Sequence, residues 1–198
     1  MSVFNQLMMK KKGGSSQIQY LQSDGAIYIP LCSSGETLNV KSYKIDIEYL
    51  EIANIVGSIF FGTYYSSYGT RNCYGIISNS YYIGPGQIGG YRIYYFNQAS
   101  SESVTAPQLN NRRIEEKSFT NQQIANSNWG LFGGYKFDTN SGVITYTKCR
   151  IWSCILYDGN NNEVANLLPK KENDVLGMYD SIRNKFLPGV GSGSFIAG

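Results

Sequence analysis

One segment, "YKIDIEYLEI" at positions 43 to 52, constrains the fold of this chain more than any other. Apolar or aromatic side chains occupy alternate positions, with charged side chains between them: Tyr43, Ile45, Ile47 and Tyr49, against Lys44, Asp46 and Glu48. Successive side chains on a strand point to opposite faces, so this pattern predicts a strand with one buried face and one wet face. We therefore expect an antiparallel sheet that covers a core.

Similar short runs of β-branched and aromatic residues recur along the chain, separated by Gly-, Asn- and Asp-rich turn signals. We predict strands in "QIQYLQ" and "AIYIPL" and at 58–65, 74–83, 91–97, 112–119, 128–137 and 143–158. Only "NDVLGMYDSI", residues 173–182, has room for one helical turn. Many short strands with little helix predict an all-β, antiparallel sandwich or jelly roll.

The charge of the chain is concentrated near its beginning. Of the 17 Lys and Arg residues, three are Lys10, Lys11 and Lys12, and the remaining 14 match the 14 Asp and Glu residues. A domain without a basic surface is not expected to bind nucleic acid. No run approaches the 18 apolar residues of a membrane span, so membrane insertion is not expected either.

The four cysteines, Cys32, Cys73, Cys149 and Cys154, show no metal-binding spacing, and the chain has no histidine. We interpret them as reduced, mostly buried thiols, and we expect no metal or cofactor. Cys149 and Cys154 are five residues apart, a spacing that would place them on opposite faces of one regular strand. "DGNNNE", residues 158–163, begins like a calcium loop but lacks its later ligands, so we predict a plain turn.

The first sixteen residues form a separate segment before the domain at 17–198. Their apolar side chains at helical spacing are Val3, Phe4, Leu7 and Met8, followed by three lysines and a Gly-Gly-Ser-Ser joint. This end is either a frayed tail or a peptide that becomes ordered on docking to a partner or within an oligomer. Its charges follow its apolar residues, an order that does not fit a secretory leader.

Three aromatic-rich runs, at 62–69, 80–96 and 128–135, are candidate contact surfaces. Adjacent aromatic residues on a strand point to opposite faces, so one ring of each pair is left at the surface. Such rings suit a protein interface or a saccharide, and both alternatives stay open here. The predicted contact residues are Tyr65, Tyr82, Tyr95 and Trp129.

Two stretches carry a family resemblance: "IQYLQSDGAIYI" at 18–29, and the chain from "RIWSC" at 150 through "GMYDSIRNKF" to "GSGSFIAG". In order and spacing they resemble the opening and closing of the concanavalin A-like lectin/glucanase domains of bacteriophage tail and other virion proteins. The resemblance implies a jelly-roll sandwich at 17–198 whose first and last strands lie close together. It also bears on "KIDIE", which differs by one residue from the Glu-Ile-Asp-x-Glu motif of retaining glucanases. Lys44 occupies the nucleophile position and cannot form the glycosyl ester, so no catalytic residues are expected.

The function that the resemblance implies is that of a non-enzymatic virion structural protein, made in the bacterial cytoplasm. It would be a decoration, fibre-tip or baseplate-associated subunit that binds other virion proteins through residues 1–16. A homo-oligomer is expected, a trimer being usual in phage fibres. The alternatives are an adhesin that recognises bacterial surface glycans and, less favoured, a glycoside hydrolase.

Overall fold

The computed structural model describes residues 18–33, 36–50, 58–65, 70–78, 91–95, 100–104, 111–118, 126–127, 129–136 and 143–198. The strands of these residues are β1 (Leu21–Ser23), β2 (Ile27–Pro30), β3 (Leu38–Asn39), β4 (Ser42–Tyr49), β5 (Ser58–Tyr65), β6 (Thr70–Ser78), β7 (Tyr91–Tyr95), β8 (Ser100–Val104), β9 (Arg113–Ser118), β10 (Asn126–Ser127), β11 (Gly130–Leu131), β12 (Gly133–Lys136), β13 (Val143–Tyr146), β14 (Cys149–Tyr157), β15 (Glu163–Glu172), β16 (Val175–Asp180), β17 (Lys185–Pro188), β18 (Val190–Gly191) and β19 (Phe195–Ala197). The same residues contain no helix, which confirms the all-β prediction for this part of the chain.

An eight-stranded antiparallel sheet is built around β14. β4 pairs with β14 along the whole of that strand, and β9 pairs with the far edge of β4. Because a strand has only two edges, β1 and β15 share the other edge of β14, β1 beside its first half and β15 beside its second. β19 continues the sheet beyond β1, while β16 and β17 continue it beyond β15.

A second, nine-stranded sheet has the order β18-β2-β11-β5-β6-β7-β8, with β12 and β13 added beside β5. β12 runs parallel to β5, whereas the other described pairs of this sheet are antiparallel. β3 and β10 form a separate two-stranded ribbon.

The two sheets share one apolar core. Tyr43 of β4 lies against Phe61 of β5, with ring centroids 5.4 Å apart, and both residues are fully buried. Burial of a large apolar side chain contributes roughly 1.5–3 kcal/mol, so contacts of this kind hold the layers together. Two packed sheets agree with the predicted sandwich, and the jelly-roll order of its strands stays a prediction.

The alternation predicted for β4 is confirmed. Its inward residues Tyr43, Ile45 and Ile47 are fully buried, whereas Lys44 and Asp46 between them are partly exposed. The strand therefore has the one buried and one wet face that its sequence indicates.

β14 breaks the alternation that β4 keeps. Its pairing with β4 shifts between Ile151 and Ser153, so Trp152 is an extra residue in a β-bulge. Cys149 before the bulge and Cys154 after it are both fully buried. Their prediction on opposite faces is wrong, because the bulge changes an odd spacing into an even one.

Three of the cysteines, Cys32, Cys149 and Cys154, are free and buried, as predicted. Burial raises the pKa of both Cys149 and Cys154 well above that of an ordinary thiol. The side chain of Cys73 lies outside the described residues.

Both ends of the predicted domain lie side by side. Leu21 of β1 pairs with Ala197 of β19, and the carbonyl of Gly198 accepts a hydrogen bond from the N–H of Gln19. The carboxylate of Asp24 accepts two hydrogen bonds from Ser194, at 2.6 Å from its N–H and 3.2 Å from its hydroxyl. The predicted closeness of the first and last strands is confirmed.

Three local predictions need correction. The single strand predicted at 143–158 is divided into β13, which pairs with β12 in the nine-stranded sheet, and β14 of the eight-stranded sheet. The helical turn allowed for at 173–182 is wrong, because Val175–Asp180 pairs with β15 and β17 as strand β16. The single strand predicted at 128–137 is divided into β11 and β12 at Phe132, whose φ of 64° interrupts an extended backbone.

Candidate functional site

Trp152 lies at the bulge in β14, on the outer face of the eight-stranded sheet. Ile151 and Cys154 on either side of the bulge are buried, but Trp152 is only partly so. Bulges often re-aim a side chain beside a functional site. We call the group around this indole the Trp152 surface: Tyr20, Gln22, Asp46, Glu48, Arg112, Arg150 and Trp152.

Two neighbours contact the indole directly. The ring of Tyr20 lies 5.1 Å from that of Trp152, at an interplanar angle of 53°. The guanidinium carbon of Arg112 lies 4.3 Å from the Trp152 ring centroid, which is within cation–π distance. The indole is thus held between an aromatic edge and a cation.

Asp46 holds the Arg112 guanidinium in place with both of its carboxylate oxygens. Arg112 donates from Nε at 2.8 Å and from Nη2 at 2.6 Å, the two-pronged geometry that arginine forms with carboxylates. This hydrogen bonding raises the pKa of Arg112, so the group stays charged. The arginine side chain is 53% exposed and that of Asp46 is 13% exposed, so a partner reaches the cation first.

A second arginine joins three strands in one transverse row. Arg150 of β14 lies opposite Glu48 of β4 and opposite Gln22 of β1. Its Nη1 donates to Glu48 at 3.1 Å, its Nε donates to Gln22 at 2.9 Å, and its guanidinium lies 5.1 Å from the Tyr20 ring centroid. These contacts orient planar polar groups beside the two aromatic rings.

Trp129, the indole predicted to be a contact residue, is fully buried instead. Its ring stacks on Phe61 at 5.2 Å and 14°, and its Nε1 donates to the carbonyl of Leu38 at 3.2 Å. The surface role predicted for Trp129 is therefore wrong, because its ring is enclosed in the core.

The other predicted contact residues are not tested by the structure. Tyr65 ends β5 and Tyr95 ends β7, but their side chains lie outside the described part of the chain, as does all of Tyr82. The four attachment residues also lie outside it: Val3, Phe4, Leu7 and Met8.

The loop at 158–163 forms a turn, as predicted. One oxygen of Asp158 accepts hydrogen bonds from the N–H groups of Asn160 and Asn162 at 2.8 and 2.9 Å, and the other accepts from the Asn162 amide at 3.0 Å. The bonds from Asn162 are the main reason why the pKa of Asp158 lies below its usual value. Within the described ranges no three His, Cys, Asp or Glu residues are grouped to hold a metal ion.

Sequence reasoning missed Tyr20, Arg112, Arg150 and Trp152. A signal for two of them was present in "CRIW", where Arg150 and Trp152 alternate with the inward residues Cys149 and Ile151. The prediction instead favoured positions in runs rich in adjacent aromatic residues. Arg112 lies at the Trp152 surface only because β9 pairs with β4.

Comparisons of the chain with protein-family models, with curated proteins and with solved structures found no match. In the part of the chain that the structure describes, no helix is long and apolar enough to cross a membrane.

Proposed function

We propose that this chain is a non-enzymatic structural component of a bacteriophage virion whose sandwich presents the Trp152 surface to another macromolecule. The observation that carries the binding role is the indole turned outward at a bulge, between Tyr20 and Arg112. Trp, Tyr and Arg are the residues that most often dominate the binding energy of protein interfaces. In this proposal the sandwich is a scaffold, and the outer face of its eight-stranded sheet makes the binding contacts.

The virion assignment is supported by the two segments that carry the family resemblance. They contribute β1 and β19, which pair directly, as the resemblance implies for the ends of the domain. Residues 1–16 would attach the subunit to the particle. Deletion of residues 1–12 is expected to prevent incorporation into particles while leaving the melting temperature of the sandwich unchanged, and normal incorporation would contradict this role.

The non-enzymatic assignment is supported by the partners of the charged face of β4. Lys44 pairs with Glu116 at 3.3 Å, and the carboxylates of Asp46 and Glu48 are each engaged by an arginine. A retaining glycosidase needs a carboxylate nucleophile and a second, protonated carboxyl group as the acid. Here a lysine stands at the nucleophile position, and both carboxylates are held in ion pairs. Release of reducing sugar from bacterial polysaccharides by the purified chain would contradict the assignment.

A paired substitution tests the Trp152 surface. Trp152→Ala is expected to lower particle incorporation or host attachment about tenfold or more, the scale of losing an interface anchor. Tyr157→Ala is the matched control, since Tyr157 is a partly exposed aromatic residue at the far end of the same strand. Equal behaviour of the two variants would remove the Trp152 surface from the proposal.

A carbohydrate-binding adhesin is the second candidate. It is favoured by the planar polar groups of Gln22, Glu48 and Arg150, which their mutual hydrogen bonds fix beside the two rings. Oriented polar groups beside apolar surface are typical of small-molecule sites. This alternative predicts binding on a glycan array that Trp152→Ala abolishes and Tyr157→Ala leaves intact.

A further inference from the structure

Exposed aliphatic residues surround the Trp152 surface on the same sheet face. Ile114 lies directly across from Asp46 and is 62% exposed, and Ile196 lies directly across from Gln22 and is 53% exposed. Leu168, on β15, is 46% exposed. Single exposed aliphatic residues are ordinary, but these three border one aromatic centre on three different strands. Trp, Tyr and Arg are typical of the core of a protein interface, and the three aliphatic residues extend the exposed apolar area of this face.

The charges at the Trp152 surface are balanced. Three ion pairs lie at or directly beside it: Lys44 with Glu116, Arg112 with Asp46, and Arg150 with Glu48. A surface selected for an acidic or a basic partner carries an excess of the opposite sign. This face carries no excess among these six groups, so it does not repel a surface of its own composition.

Charges of opposite sign also alternate across neighbouring strands. Ile47 pairs with Arg113, which places Arg112 level with Glu48, and Glu48 is directly opposite Arg150. In the direction from β9 to β14, Arg112, Glu48 and Arg150 are therefore positive, negative and positive. A two-fold axis between Glu48 and Arg150 lays each of these two groups over the opposite charge of the other copy, the self-complementarity that an isologous interface requires.

We infer that the Trp152 surface, with Ile114, Leu168 and Ile196 at its border, is a homodimer interface that binds a second copy of this chain. The inference rests on the proposed binding role of the Trp152 surface and does not depend on the virion assignment. It also differs from assembly through residues 1–16, because the interface lies on the sandwich itself.

Sedimentation velocity of the full chain over a range of concentrations tests the inference. The wild type is expected to shift from monomer to dimer as concentration rises. Ile114→Lys and Ile196→Lys each place an unpaired charge in a desolvated contact and should weaken dimerisation about tenfold or more. Val190→Lys is the matched control, since Val190 is 47% exposed on β18 of the other sheet, and this variant should dimerise like the wild type.

Tryptophan fluorescence gives an independent readout, because Trp129 is fully buried and only Trp152 reaches the surface. Quenching by acrylamide should decrease as the wild type dimerises and should not decrease for Ile114→Lys. The melting temperature of each variant, measured by circular dichroism, should equal that of the wild type, since the substituted side chains are exposed.

Three results would overturn the inference. The first is a wild type that stays monomeric at every concentration, whether or not a saccharide or another protein then binds it through Trp152. The second is an oligomer that survives both lysine substitutions. The third is an oligomer that is lost on deletion of residues 1–12 but not on substitution of Ile114, which would place the contact in the N-terminal segment.

Discussion

β4 and β14 are neighbours that pair along their whole length, yet β4 alternates regularly and β14 contains a bulge. β4 alternates strictly from Tyr43 to Ile47, so every second of these side chains enters the core. β14 contains one extra residue, and that residue is Trp152, the centre of the candidate binding surface. The comparison teaches that regular alternation builds the core of this sheet, whereas the bulge places two consecutive outward residues, Trp152 and Ser153, at the site and keeps Cys154 in the core.

The two strands also differ in what supports them at their outer edges. β4 has β9 beyond it, and the first half of β14 has β1 and then β19, the last strand of the chain. The first half of the bulged strand is therefore bordered by the first and last strands of the described chain, whereas the regular strand is bordered by one strand from the middle of the chain. Four experiments would break or sharpen this contrast.

The largest effect is expected from a variant that ends at Gly189. It loses β18 and β19, exposes the edge of β1, and removes Phe195, whose ring lies 4.9 Å from that of Phe132 in the core. Loss of a buried phenylalanine alone costs roughly 3–5 kcal/mol, so the free energy of unfolding should fall by at least that amount. Thermal unfolding measures it, with Ile196→Ser as the control because that side chain is 53% exposed. A soluble variant with the wild-type melting temperature would refute the role of the last strand.

Insertion of one alanine directly after Trp152 is expected to have the next largest effect. Cys149 and Cys154 are then six residues apart, and a bulge with one extra residue leaves an odd number of steps between them, so one half of β14 must turn its inward side chains outward. Cys149 or Cys154 should then react with a thiol reagent that leaves both unlabelled in the folded wild type, where burial raises their pKa. Labelling mapped by mass spectrometry measures this, and deletion of Trp152, which leaves a regular strand with both thiols on one face, is the control. Unchanged protection of both thiols in the insertion variant would show that the bulge does not set their facing.

A comparison of Ile47→Ala with Trp152→Ala separates core from surface. Ile47 is fully buried, so its truncation should lower the free energy of unfolding by roughly 2–5 kcal/mol. Truncation of Trp152 loses contacts with Tyr20 and Arg112 and should cost about 1 kcal/mol or less. Chemical denaturation of both variants measures the difference, and equal losses would mean that the indole is a structural residue.

The smallest effect is a change in pH dependence at the end of β1. Burial raises the pKa of Asp24, but the hydrogen bonds from Ser194 and Ala26 together outweigh it, and the pKa lies below its usual value. A lowered folded-state pKa contributes stability that is present above the unfolded pKa, about 3.9, and is lost as the pH falls through the folded pKa. Asp24→Asn should therefore flatten the fall in melting temperature below about pH 4. An identical acid profile for both proteins would show that this carboxylate does not link the last strand to pH.

Much of the sheet could be predicted from local pattern because burial acts on each strand in the same way. The alternation around Ile45 predicted β4, and the turn residues around Asp158 predicted the end of β14. The indole of Trp129 shows the limit of the same reasoning, since its sequence neighbours do not reveal that Phe61 and Leu38 enclose it.

The sequence by itself determined the β class of the described chain, the two faces of β4 and the closeness of the first and last strands. Only the tertiary structure decided which indole is presented, because the packing of the two sheets buries Trp129 against Phe61 and leaves Trp152 partly exposed. The tertiary structure also decided which side chains contact Trp152. Tyr20 and Arg112 are distant from it in sequence and reach it only because β1, β4, β9 and β14 lie side by side. Side-chain alternation is a local property of the backbone, whereas strand register is a property of the whole sheet.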